Sequence, residues 1–444
     1  MATGTGKTVT SLYSIKELVE KNRILTVIAV PYIHLVAQWS EDVKDFFPNA
    51  YVQMVHGDIK DAETKIYSNY LASKKNYKPL IVITTMKSFF LEKYSKLYEK
   101  IEYKKLLIVD EAHNFINSIS DELSAKYPYK LGLSATPVFG HDEIKTEKLL
   151  SWFGGKVMDY SIEKAIGKYL VNYEYHPIFV KATDNDEKNF NRYTNMMLSA
   201  FDKKGNLIDE EKFTIGYRGR LKSISLAEEK MENIKSIFNQ IKDKDHTIIY
   251  CSDGKILFDD KKKNEQEEIR HLEYILRLIN NSLLETNQTN LKASRFTATE
   301  NMEDRLNLIN DFNKGKINYL VAIRCLDEGI NIPSIRSALI LSSNDNFREF
   351  VQRRGRILRL YKNPETNEEK KVAHIYDVIV LPSHDARSFA EIELRRFYEY
   401  SKLACNKEKD HLEEKLLSLL DDYDMSQDDI LFKNDYAYGG ELDE

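Results

Sequence analysis

The 444-residue sequence predicts an α/β chain built as two lobes, each a parallel sheet covered by helices. Two observations carry that expectation. Short β-branched runs alternate with longer stretches of helical period over the first 136 residues, and the same texture returns from residue 246 onward. Between the two, about 182–240 is charged, helix-prone and poor in buried-strand signals.

In chain order, ILTVIAV (24–30), LIVITT (80–85), LLIVD (106–110) and LGLSAT (131–136) lack the alternation of half-exposed strands, so they read as strands buried on both faces. Helical patterns at about 33–46, 61–74 and 86–100 separate several of them. The second set is HTIIYCS (246–252), KASRFTA (292–298), NYLVAI (318–323), SALILSS (337–343) and VAHIYDVIVL (372–381). The expected division is therefore a first lobe over 1–181, a helical connector over 182–232, a second lobe over 233–385 and a helical tail over 386–444.

Hydrophobic content of 42% and charged content of 30% describe an ordinary globular protein. No apolar run reaches the roughly 18 residues of a membrane span. Met1 leads straight into a glycine-rich loop, so no leader is expected and cytoplasm is the expected location. Cys251, Cys325 and Cys405 lie far apart without a CxxC pair, which supports neither a disulfide framework nor a zinc cluster. A net charge of −5 gives no global sign of nucleic-acid binding, although basic residues gathered in one cleft are compatible with it.

Four motifs carry chemistry. In MATGTGKT, glycines let backbone N–H groups converge on phosphate at the positive end of the following helix. Lys7 would reach the β- and γ-phosphates and Thr8 would ligate Mg²⁺. The first position of the general pattern GxxxxGK[ST] is Met1 rather than Gly, and a chance run of small residues is the competing reading. LLIVDEAHNF ends a strand in Asp110 and Glu111, a metal-holding carboxylate and a water-activating neighbour, or else an ordinary strand-to-helix turn with an N-cap Asp. LGLSATP sets Ser134 and Thr136 at another strand end, closed by Pro137; alone it is merely a strand stop. REFVQRRGRILR (348–359) concentrates Arg353, Arg354, Arg356 and Arg359, either a solvated basic face or a site for an anion.

Taken in order, these motifs resemble those of a superfamily 2 helicase or translocase of the DEAD/DEAH type, with two RecA-like P-loop lobes. VPYIHLVAQW (30–39), TTMKSF (84–89) and VAIRCLDEGINIP (321–333) are similar to further segments of that superfamily. The wording is closest to bacterial motor subunits of restriction-enzyme and repair type.

The resemblance implies ATP and Mg²⁺ as cofactors. Gly4, Thr5, Gly6, Lys7 and Thr8 would bind the triphosphate, with Asp110 and Thr8 on the metal and Glu111 as base. Gln352 would face the nucleotide across a cleft, Arg356 and Arg359 would be arginine fingers, and Gly329 and Asn331 would lie near the ribose. His113, Ser134 and Thr136 would couple nucleotide state to closure. Nucleic acid, DNA rather than RNA, would run past Pro31, Gln38, Thr84, Thr85, Ser88 and Thr297, small polar residues suited to backbone contacts.

The implied role is an ATP-dependent helicase or translocase in bacterial restriction, defence or repair. A nuclease, a methylase or a missing N-terminal domain would be its companion, and no membrane is involved. Relatives carry a strand and an adenine-reading glutamine ahead of the loop, so the first lobe is expected to lack its N-terminal strand. The alternative function is then a catalytically impaired, truncated fragment that only binds nucleic acid or protein.

Overall fold

The computed structural model describes the chain apart from residues 58, 138–141, 242–244, 261–264, 287, 289, 298–301, 324–331, 343–346 and 432–444. It divides into two compact units, Met1–Ala165 and Ile166–Glu444.

In the first unit the strands are β1 (Ile24–Val30), β2 (Tyr51–Val55), β3 (Leu80–Thr85), β4 (Lys104–Val109) and β5 (Tyr129–Gly132). They form one parallel sheet in the order β2-β3-β1-β4-β5. Its helices are α1 (Lys7–Lys21), α2 (Ile33–Phe46), α3 (Ala62–Asn76), α4 (Met86–Phe89), α5 (Glu92–Lys100), α6 (Asp121–Lys126), α7 (Glu143–Trp152) and α8 (Ile162–Ala165), with a 3-10 turn at Ala112–Ser118. The unbroken apolar strands have a simple cause, because each face of the sheet meets its own helical layer. Leu25, Val27 and Ala29 of β1 pack with Ile66 of α3 and Leu97 of α5, while Ile24, Ile28 and Val30 pack with Leu12 of α1 and Trp39 of α2.

In the second unit the strands are β6 (Asn172–Lys181), β7 (Thr247–Tyr250), β8 (Lys255–Asp260), β9 (Glu265–Arg270), β10 (Ala293–Phe296), β11 (Tyr319–Ala322), β12 (Ser337–Ile340) and β13 (Val372–Leu381). Six of them make a parallel sheet, β10-β11-β7-β12-β13-β6, and β8 with β9 forms an antiparallel pair that the sequence did not predict. The helices are α9 (Asp184–Leu198), α10 (Glu210–Ser225), α11 (Glu228–Asn239), α12 (His271–Glu285), α13 (Met302–Asn313), α14 (Phe347–Ile357), α15 (Arg387–Ser401), α16 (Leu412–Asp422) and α17 (Gln427–Ile430).

The expected boundary at 181 moves back to Ala165. β6 pairs with β13 over all ten residues, from Asn172↔Val372 to Lys181↔Leu381, so it is the edge strand of the second sheet. Parallel pairing across two hundred residues leaves no mark on local sequence. Nor is 386–444 a separate tail: Phe389, Leu394, Phe397 and Tyr400 of α15 are fully buried in the second unit.

A buried ionic network ties α15 to the sheet. Arg396 donates to Asp377 of β13 at 3.0 Å, and to both oxygens of Glu393 at 2.7 and 2.9 Å. Tyr175 of β6 donates its hydroxyl to Asp377 at 2.9 Å. Burial raises the Asp377 carboxyl above its usual range while Arg396 opposes the shift.

Candidate active site

The residues singled out in the first unit gather at the carboxyl ends of its parallel strands, where open α/β sheets hold ligands. Gly4 (φ 82°) and Gly6 (φ 80°) take left-handed backbone conformations that a side chain would strain, and Gly6 caps the start of α1 at Lys7. The loop is tied down by Ala2 N–H to the Tyr160 carbonyl at 2.8 Å and by the Thr5 hydroxyl to the Ala2 carbonyl at 2.7 Å.

Lys7 Nζ, largely shielded from solvent, meets Glu111 Oε1 at 3.3 Å. Asp110 is buried directly after β4, its Oδ2 accepting the Trp39 indole N–H at 2.9 Å and its Oδ1 the Glu111 N–H at 3.0 Å. Burial raises the Asp110 carboxyl above the usual carboxylate range; the Glu111 charge adds to this and Lys7 opposes it. A buried carboxylate with so few donors suits a divalent cation, and Thr8, in the first turn of α1, supplies a hydroxyl of matching hardness. Asp110 and Thr8 therefore fit the Mg²⁺ that the motifs imply.

Glu111 is itself left-handed (φ 45°), a conformation that costs a non-glycine residue about 1–3 kcal/mol and is concentrated at functional sites. It is held by the Asp110 contact and by Ala112 N–H to the Leu133 carbonyl at 2.8 Å. His113 Nδ1 lies 3.5 Å from Glu111 Oε2 and 3.2 Å from Ser134 Oγ, and Ser134 Oγ accepts the Thr136 N–H at 3.1 Å. The end of β5 is thus linked to the candidate base through one imidazole.

Other expected contacts differ. Thr84, Thr85 and Ser88 are buried, and the Thr85 hydroxyl caps α4, bonding Ser88 N–H at 3.2 Å and Ser88 Oγ at 3.0 Å. Their hydroxyls bond within the fold, Thr84 to the Thr85 carbonyl at 3.2 Å. Pro31 and Gln38 are half-buried, after β1 and on α2, and Thr297 is half-buried after β10 in the second unit.

In the second unit α14 carries Arg353, Arg354 and Arg356 of the arginine cluster, and Arg359 follows two residues beyond its end. Arg353 pairs with Glu349 at 3.0 Å, and Arg354 reaches the Tyr173 hydroxyl at 3.5 Å and the Glu399 carboxylate at 3.9 Å. Those two have acidic partners inside the unit, so their charge calls for no ligand. Burial and the neighbouring Arg356 guanidinium push Arg359 down to about 9. Gln352 is half-buried on the same helix. Gly329 and Asn331 lie outside the described residues. Trp39 is the residue that sequence reasoning missed; it was visible in VPYIHLVAQW only as an apolar position of α2.

Residues 1–139 match the family model described as type III restriction enzyme, res subunit, and residues 229–361 match helicase conserved C-terminal domain. The chain is 27% identical over 378 residues to the DNA 3'-5' translocase XPB2 of Sulfurisphaera tokodaii, covering 81% of this chain and 74% of that protein. It is 24% identical over 412 residues to putative helicase 22 of a Sulfolobus islandicus filamentous virus, covering 88% and 63%. The ATP-dependent type ISP restriction-modification enzyme LlaBIII bound to DNA shares the fold, with a TM-score of 0.56 at 17% identity, over 100% of this chain and 32% of that one. Among the described residues no helix is long and apolar enough to cross a membrane. With a res-subunit match on its first parallel-sheet unit and a helicase C-terminal match on its second, the chain belongs to the superfamily 2 helicases and translocases, built on two RecA-like units.

Proposed function

We propose that this chain is an ATP-driven motor that moves along DNA, of the kind used in bacterial restriction, defence or repair. The observation that supports it most is the meeting of Lys7 and Glu111 at 3.3 Å beside the buried Asp110. That arrangement brings a phosphate-reaching cation, a proton acceptor and a metal-holding carboxylate to one strand edge. DNA is the proposed track because a DNA translocase and a DNA-bound restriction enzyme are among the similar proteins.

The loop amides and the N-terminus of α1 bind phosphate, and Lys7 leaves Glu111 for the triphosphate. Asp110 and Thr8 hold Mg²⁺, which when bound offsets charge on the phosphate oxygens. Glu111 orients a water and takes its proton. His113 passes the state of Glu111 to Ser134 and Thr136. Arg356 and Arg359 are the guanidinium groups proposed to assist this turnover.

ATP hydrolysis by the purified chain, measured with and without DNA, tests this. Turnover should require Mg²⁺ and rise with DNA. Lys7→Ala and Glu111→Gln should each lose it, with Glu111→Gln still binding ATP because Asp110 remains. Parental turnover in Glu111→Gln removes Glu111 as the base.

A further inference from the structure

We propose that Glu174, His176 and His374 form a binding site for a four-coordinate divalent transition metal, with zinc as the ion that fits best. The three residues lie on β6 and β13, in the second unit. Glu174 and His374 are direct register partners across that strand pair, and His176 follows Glu174 by two positions. Strand alternation therefore puts all three side chains on one face of the sheet, opposite Tyr173 and Tyr175, which pack toward Tyr400 and Phe397 of α15.

The distances separate an ion site from a hydrogen-bonded cluster. His176 Nε2 lies 3.3 Å from His374 Nδ1, and Glu174 Oε2 lies 3.4 Å from each of those nitrogens. Nitrogen-donor hydrogen bonds centre near about 2.9–3.0 Å, so all three contacts are long for that purpose. In a tetrahedral zinc site with ligand bonds of about 2.0–2.1 Å, neighbouring ligand atoms stand about 3.3–3.4 Å apart. The same bond lengths around an octahedral ion would bring neighbours to about 2.9–3.0 Å.

The donor set agrees with the geometry. Two imidazoles and one carboxylate suit zinc and its neighbours rather than Mg²⁺ or Ca²⁺, which take oxygen ligands. With side chains only 17–30% exposed, the three are shielded yet reachable by an ion and by a water as fourth ligand. Tyr376 stacks on His176 at 4.8 Å between ring centroids, which orients that imidazole. A bound ion would cross-link positions two hundred residues apart and clamp the edge strand β6 to the sheet.

The test uses the full chain freed of metal by chelation. Titration with zinc chloride followed by calorimetry should show one saturable site per chain that millimolar Mg²⁺ does not displace. Cobalt(II) should give the intense visible absorption of four-coordinate geometry, and zinc should raise the melting temperature by several degrees. Glu174→Gln, His176→Gln and His374→Gln should each weaken binding at least about tenfold and abolish the thermal shift. His411→Gln, an exposed histidine elsewhere, should change neither. Glu174→Gln keeps the shape and polarity of the parent side chain, so its metal-free melting temperature serves as the folding control. No saturable site, equal affinity in the three variants, or a six-coordinate cobalt spectrum would each overturn the proposal.

Discussion

Trp39 donates its indole N–H to Asp110 Oδ2, and both groups are buried. A buried acceptor that loses its donor costs about 1–3 kcal/mol, and a lone carboxylate at such a site drifts further toward its neutral form. Trp39→Phe keeps the aromatic packing on β1 and removes only the donor. The expected outcome is a raised Mg²⁺ requirement, with maximal turnover at saturating Mg²⁺ changed less than the half-saturating concentration. Equal Mg²⁺ dependence in parent and variant would show that Trp39 acts by packing alone. The pair also marks what sequence reading can reach. Lys7, Asp110, Glu111, His113 and Ser134 were legible because each sits in a short motif whose chemistry requires that residue type. Trp39 was legible only as a buried position, since nothing local says that its N–H points at a carboxylate seventy-one residues away. For the same reason Glu174, His176 and His374 carry no ligand spacing, because two strands far apart in the chain bring them together.

At the scale of elements, α14 shows why a charge run cannot be assigned from sequence as one block. Its helical period turns Arg353 and Arg354 toward Glu349 and Glu399, while Arg356, near its end, lies close enough to Arg359 to push that guanidinium down. The two pairs should respond differently to mutation. Arg356→Ala or Arg359→Ala should cut ATP turnover strongly, by on the order of 10³ if they act as arginine fingers, and by more than any accompanying loss of stability accounts for. Arg354→Met should instead destabilise the second unit by about 1–3 kcal/mol, because it removes the buried donor to the Tyr173 hydroxyl and the Glu399 carbonyl and leaves the Glu399 carboxylate with Lys402 alone. Urea unfolding beside turnover assays separates the outcomes, and a reversed pattern would exchange the assignments.

Lys370, just before β13, offers a second test at this scale. Burial, with Arg359 and Arg336 adding, pushes its ammonium down to about 7 from 10.5. The unfolded chain therefore binds more protons between about pH 7 and 10.5, and this lysine makes stability rise with pH across that window. Its cost is fully present below pH 7 and gone above 10.5. Lys370→Met should flatten that part of the stability profile relative to the parent. The strands themselves were legible wherever both faces are buried, as in β1, β3 and β13. β2 was not, because four of its five residues are only half-buried and its apolar signal is diluted.

At the scale of the whole molecule, the position of β6 decides where the chain can be divided. The strand is contiguous in sequence with the first unit, yet it pairs with β13 along its whole length. Its inner face contributes Tyr173 and Tyr175, both fully buried, and Tyr175 donates to Asp377 inside the Arg396–Glu393 network. A fragment cut at the sequence-derived boundary, 182–444, would lose those contacts and expose the edge of β13. It would also leave the Asp377 carboxylate with one donor fewer in an apolar setting. A fragment of 166–444 keeps the strand, its tyrosines and the proposed metal ligands. We expect 166–444 to unfold cooperatively in urea with a melting temperature well above that of 182–444, and the shorter fragment to aggregate through its open sheet edge. Arg396→Leu placed in 166–444 should remove part of that advantage, since the advantage rests partly on the ionic network that β6 completes. Equal stability of the two fragments would mean that β6 is an accessory to the second unit, and that the division of the chain belongs after Lys181.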